Sequence, residues 1–185
     1  MLRMPQAPSR TYILEREQAA YESRVRLWLA GFSAQDIVST EEIVAAVDRV
    51  PDHQLEGLRG VIYDPERATQ DLDAYSAPWG FNVKGAFFRV ERCIVLYHFA
   101  SKSRFEHILY HEIGHYVFQY ILDSYQRQNW VTRIYPRSRH VTQIAGRNAN
   151  EDFAESYAAF LRNRPHLLQI PQKHAFMRNE VFRAQ

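Results

Sequence analysis

The sequence predicts an α+β domain with a small mixed sheet, on three observations. Strand-like runs gather in the middle of the chain, two helix-period segments follow them, and 185 residues fit one domain able to bury a sizeable core.

In chain order, residues 1–10 carry Pro5, Pro8, Arg3 and Arg10 with no apolar run, which predicts a mobile start rather than a secretory signal. A single domain is expected over 11–185. Tyr12 to Ala30 reads as a helix, with Ile13, Ala20, Val25, Leu27, Trp28 and Leu29 on one side and Gly31 ending it. Ser39 or Thr40 caps a second helix from Glu41 to Arg49, with Pro51 beyond its end. Gly57 to Tyr63 reads as a strand closed by Asp64-Pro65. Glu66 to Phe81 has no clear period and is expected to be an irregular loop or a short helix.

Strand character returns in Ala86–Val90 and Cys93–Tyr97, with Glu91-Arg92 as a hairpin or bulge between them. A strong helix is expected from Ser103 to Leu122. The stretch from Asp123 to Gly146 reads as irregular, and a loop that long implies function or partial order. Another helix runs from Ala149 to Arg162, and the tail with Pro165 and Pro171 reads as a loop and a short final helix.

Apolar residues at 46% and charged residues at 24% describe a globular chain, not a disordered one. The net charge of +2 is too small a basic excess to mark a nucleic-acid binder, even though twenty of the 23 basic residues are Arg. The lone Cys93 excludes an intrachain disulfide and reads as a small buried hydrophobe. No run of eighteen apolar residues exists, so no membrane span is expected.

The chemistry concentrates in His111-Glu112-Ile113-Gly114-His115. Histidines four apart on a helix emerge from one face a turn apart and can share one zinc ion. Glu112 is rotated about 100° from His111, where its carboxylate can meet a metal-bound water as general base without joining the ligands. Chance supplies only on the order of 0.02 such patterns in a chain of this composition. Gly114 costs about 1 kcal/mol of helix propensity, which a close backbone approach would justify. His107 extends the series, but one straight helix cannot wrap three ligands around one ion, so it reads as exposed or as a partner behind the ligands.

The third ligand is not a histidine six residues on, because Phe118 and Ile121 hold the positions of that longer pattern. Asp123 is too far along the helix. A carboxylate from the next helix remains, in the gluzincin arrangement. That helix offers Glu151 and Glu155, one turn apart and flanked by the small residues Ala154 and Ala158. Spacing alone leaves open which of the two reaches the metal.

Together, His111-Glu112-Ile113-Gly114-His115 and Glu151-Asp152-Phe153-Ala154-Glu155 resemble the gluzincin family of the anthrax lethal factor catalytic domain, which includes the clostridial Pro-Pro endopeptidases. The resemblance covers about the last hundred residues. It implies a zincin-like metallopeptidase domain with an active-site helix and a second ligand-bearing helix. It also implies Zn2+ as cofactor, Glu151 as third ligand and Glu155 as partner of a ligand histidine. The family carries an oxyanion-stabilising tyrosine two turns before the ligand glutamate. Here that place holds Ile144-Ala145-Gly146, which leaves Tyr135 and His140 as the candidates.

The expected function is therefore zinc-dependent endopeptidase activity on a peptide or protein substrate, with Glu112 as the base. Cys93–Tyr97, and Val95, Leu96 and Tyr97 within it, is expected to be the edge strand on which the peptide lies. Two other readings compete. One is a zinc-containing regulatory or toxin-like module with vestigial hydrolysis. The other is an anion or nucleic-acid binder using Arg127, Arg133, Arg137, Arg139 and Arg147, which the small net charge disfavours.

Overall fold

The computed structural model describes residues 10–14, 25–67 and 84–183. Two parallel strands come first, β1 (Arg10–Leu14) and β2 (Val25–Ala30). The helix expected over Tyr12–Ala30 is therefore not formed; residues 15–24 of that segment, and 1–9 of the expected mobile start, lie outside the described residues. The physical reason is legible in β2, where Leu27 and Leu29 are buried and Trp28 between them is 45% exposed. That is the two-residue alternation of a strand, and a short apolar cluster satisfies both periods.

The crossover to the next parallel strand carries α1 (Thr40–Val47), started by a capping box in which Ser39 and Glu42 bond each other's backbone. β3 (Gly60–Tyr63) pairs in parallel with β2. From residue 68 onward the segment expected to be irregular, Glu66–Phe81, lies outside the described residues. The hairpin expectation holds: β4 (Gly85–Phe88) and β5 (Cys93–Leu96) are antiparallel, and Arg92 closes the turn in the left-handed region at φ 52. The sheet order is β1-β2-β3-β5-β4, a small mixed sheet. Cys93 is half-buried rather than sealed in the core.

Next comes α2 (Lys102–Tyr116), capped by Ser101 and prolonged by a wider π-helical turn to Ile121. The stretch read as irregular, 123–146, is largely helical. It contains α3 (Ser124–Asn129), a π-helical turn over Trp130–Ile134 and short 3-10 turns at Tyr135–Arg137 and Ile144–Gly146. Asp123 opens it with a capping box to Gln126, a start signal that the polar composition hid. Trp130 anchors the segment: fully buried, it donates from Nε1 to the Ala149 carbonyl and packs edge-on against Phe153.

α4 (Ala149–Leu161) follows, capped by the Asn148 side chain, which accepts from the amides of Asn150 and Glu151. The tail forms α5 (Pro165–Leu168), α6 (Pro171–Phe176) and a last π-helical turn over Met177–Val181. One core joins the sheet residues Leu27, Val61, Ile94 and Leu96 to Phe105, Leu109 and Ile113 of α2 and to Phe153 and Tyr157 of α4. Among the described residues, no helix is long and apolar enough to cross a membrane.

Candidate metal centre

α2 and α4 meet at their small residues. A Cβ added to Gly114 would lie 2.8 Å from the Ala154 Cα and 3.3 Å from its Cβ, so the glycine is what lets the two backbones touch. This contact brings the polar faces of the helices together. His111 Nε2 lies 3.1 Å from His115 Nε2. Glu151 Oε2 is 3.3 Å from the first, and Glu151 Oε1 is 3.7 Å from the second. These three side chains offer donor atoms close enough to share one metal ion. The Asn148 cap fixes the first turn of α4 and with it the direction of Glu151.

Glu155, one turn on, faces the other side of the same imidazole, with Oε1 2.8 Å from His111 Nδ1 and 3.2 Å from His107 Nε2. Geometry thus separates two carboxylates that spacing could not: Glu151 meets both Nε2 atoms, whereas Glu155 backs His111. His107, His111 and Glu155 also come close enough for an ion, but that group lacks His115.

The charges around His111 are unevenly opposed. Burial works against its protonation, yet the adjacent Glu151 and Glu155 carboxylates outweigh burial and push its pKa up to about 10 in the ion-free chain. Burial likewise opposes ionisation of Glu155, but the bonds from His107 and His111 win and hold it well below the usual carboxylate range. Glu151 is also lowered; against burial stand His111, His115 and the nearby Arg147.

Glu112 is 6% exposed, beneath β4. A Cβ at Gly85 would come within 3.4 Å of the Glu112 Cγ, so a glycine in the strand makes room for it. Burial pushes its pKa up, with His111, His115 and the Phe87 backbone bond pulling the other way.

The edge-strand expectation is corrected. β5 lies between β3 and β4, so Val95 and Leu96 are interior, with Tyr97 buried just past the strand's end. The unbroken apolar run Ile94-Val95-Leu96 is the mark of a strand covered on both faces and both sides. Among the described residues β4 stands last in the order, and it is the strand that passes over Glu112.

Tyr135 donates to the Gly146 carbonyl at 3.3 Å, and His140 Nδ1 lies 3.6 Å from Asp152 Oδ1. Neither makes a hydrogen bond, ion pair or ring contact with His111, His115 or Glu151 among the described residues. Of the arginine cluster, Arg127 donates to the Gln119 and Leu122 carbonyls at the end of the π-helical turn. Arg147 is the member within electrostatic reach of Glu151.

Three site neighbours carried no sequence signal of their own. Gly85 is one. Asp152 and Lys173 are the others, a fully buried ion pair that ties α6 to α4 one residue from Glu151.

No protein-family model matches the chain, and no curated protein and no solved structure matches it either.

Proposed function

We propose that this chain is a zinc-dependent endopeptidase of the gluzincin type, built on a zincin-like fold. The observation that carries the reading is the convergence of His111 Nε2, His115 Nε2 and the Glu151 carboxylate at spacings of 3.1, 3.3 and 3.7 Å. Ligands held about 2.0–2.1 Å from a tetrahedral zinc stand about 3.3 Å apart, so these donors are already near the required separation. The donor set is also the right chemistry, two imidazoles and a carboxylate.

His111, His115 and Glu151 would hold the ion. A zinc ion bound there supplies Lewis acidity, polarising a scissile carbonyl and lowering the pKa of a coordinated water towards about 7. Glu112 takes a proton onto its carboxylate and returns it to the leaving amine nitrogen. Burial favours that role, because it raises the proton affinity of the group. Glu155 holds the His111 ring by its Nδ1 side. An extended peptide substrate pairs with the outer edge of β4, whose backbone reaches Glu112 through Phe87.

A specific observation favours a second reading, a zinc-containing regulatory or toxin-like module with weak hydrolysis. Tyr135 and His140 are engaged by Gly146 and Asp152, away from the triad.

Metal analysis of the purified chain, with cleavage of a diverse peptide library, separates the two. One zinc per chain with cleavage that falls about 10²–10⁴-fold in Glu112→Gln supports the peptidase. Zinc without cleavage supports the module, and absence of zinc after reconstitution overturns both.

A further inference from the structure

We propose that His107 and Arg162 are positioning residues of the metal centre. With Glu155 they line up a directed chain of polar contacts, Arg162–His107–Glu155–His111, that keeps one His111 ring proton on Nδ1, so that the proton an ion displaces is the one on Nε2. The inference rests on the metal-site reading above and extends it beyond the ligands and Glu155.

The direction of the chain follows from its one fixed end. An arginine guanidinium donates only and stays charged. Its Nη1 lies 3.0 Å from His107 Nδ1, so that nitrogen must be the accepting one and the ring proton sits on Nε2. His107 Nε2 is 3.2 Å from Glu155 Oε1 and donates to it. Glu155, an ionised carboxylate, can only accept. The next nitrogen along, His111 Nδ1 at 2.8 Å, therefore carries its proton there. With one proton held on Nδ1, the proton that an ion displaces leaves from Nε2 and frees the lone pair of the atom that faces His115 and Glu151.

The fixed end is itself anchored. Arg162 Nη2 donates to the Ser103 carbonyl at 2.9 Å and to its hydroxyl at 2.8 Å. Ser103, His107, His111 and His115 lie four residues apart along α2, and Glu151, Glu155 and Arg162 face them from α4 and its C-cap, so one helix contact aligns the whole chain.

Burial makes each link matter. Glu155 is 1% exposed, and the imidazoles of His111 and His107 stand 2.8 and 3.2 Å from its Oε1, at ion-pair distance. Neither Glu155 oxygen nor His111 Nδ1 has another polar partner in good hydrogen-bond geometry. A buried carboxylate keeps its charge only with such partners. Removing His107 leaves it with His111 alone. A second ion held by His107, His111 and Glu155 is the competing use of these residues. The Arg162 charge beside His107 opposes it.

The test is zinc affinity of the full chain by chelator competition, with the tautomer of His107 read from nitrogen-15 chemical shifts of the metal-free protein at mildly alkaline pH. The expected tautomer is Nε2–H. His107→Leu should weaken zinc binding about 10–100-fold, as losses behind a ligand histidine do. His107→Gln should restore it, because an amide accepts from Arg162 through its oxygen and donates to Glu155 through its nitrogen. Arg162→Leu removes the donor that fixes the His107 tautomer and should weaken zinc binding in the same direction as His107→Leu. An Nδ1–H tautomer, an undiminished His107→Leu, a His107→Gln as weak as His107→Leu, an undiminished Arg162→Leu, or two ions per chain each overturn the proposal. Parent protein that binds no zinc overturns the metal site itself, while the tautomer still reports whether the hydrogen-bond chain exists.

Discussion

Gly114 of α2 and Ala154 of α4 are so close that a Cβ at 114 would meet the Ala154 Cα at 2.8 Å and the Tyr157 Cβ at 3.2 Å. The obstacle is the partner helix's backbone and the root of a buried side chain, neither of which can rotate away. Gly114→Ala gains about 1 kcal/mol of helix propensity, but forcing the helices apart costs about 1–3 kcal/mol. Urea denaturation should show net destabilisation, and zinc affinity should fall because Glu151 moves with α4. A variant as stable as its parent would mean that the helices are not in this contact.

The two glutamates of α4 should part company on mutation. Glu151→Ala leaves two histidines, and zinc retention should be poor. Glu155→Ala removes the partner of His111 Nδ1, and affinity should fall about 10–100-fold. Competition with a chromogenic chelator measures both; the reverse ranking would assign the ligand to Glu155.

The metal-free chain should lose stability in alkali. The His111 pKa is about 10 when folded, against an ordinary 6.5, because Glu151 and Glu155 overcome burial. A raised folded value means that the contribution is fully present below about 6.5 and is lost as pH rises through about 10. Glu155 acts in the opposite sense: its folded value is lowered, so its contribution is present above the ordinary 4.5 and is lost as acid protonates it. Denaturant midpoints of the metal-free protein across the alkaline range test the first claim. Zinc uptake near neutrality should also release the His111 proton, which calorimetry in buffers of different ionisation enthalpy would detect. A flat stability profile and no proton release would contradict the assignment.

Lys173→Met should be among the most damaging changes far from the ligands. Lys173 and Asp152 are both fully buried and paired, so the variant strands a charge in the core at a cost of about 3–5 kcal/mol. Burial already pushes the Asp152 pKa up and the Lys173 pKa down. Adding Asp152→Asn, which removes the stranded charge, should recover part of the loss in thermal melts. No recovery would show that Lys173 acts through packing.

His111, Glu112, His115, Glu151 and Glu155 could be read from the chain because their chemistry is encoded locally. Spacings of one and four residues on a helix set direction before any packing occurs, and the extents of α2 and α4 follow from apolar periodicity. Ser39 or Thr40 announced the start of α1 by the same local logic, the structure choosing Ser39, and Gly114 with Ala154 announced a close approach. The first strands were not legible, because Leu27-Trp28-Leu29 suits either period until a sheet face buries alternate residues. The helical character of 123–146 was hidden for a related reason: its polar composition has little stripe, and Trp130 becomes an anchor only when Phe153 and the Ala149 carbonyl are brought to it. Strand order, and so the choice of β4 as edge, depends on which strands pair across long separations, a choice that no local pattern encodes. The sequence by itself determined the candidate ligands and the candidate base. Only the tertiary structure decided that Glu151 faces both Nε2 atoms while Glu155 backs His111. Carboxylates one turn apart share a face in isolation, and only docking α4 against α2 at one register gives each its own side of the imidazole.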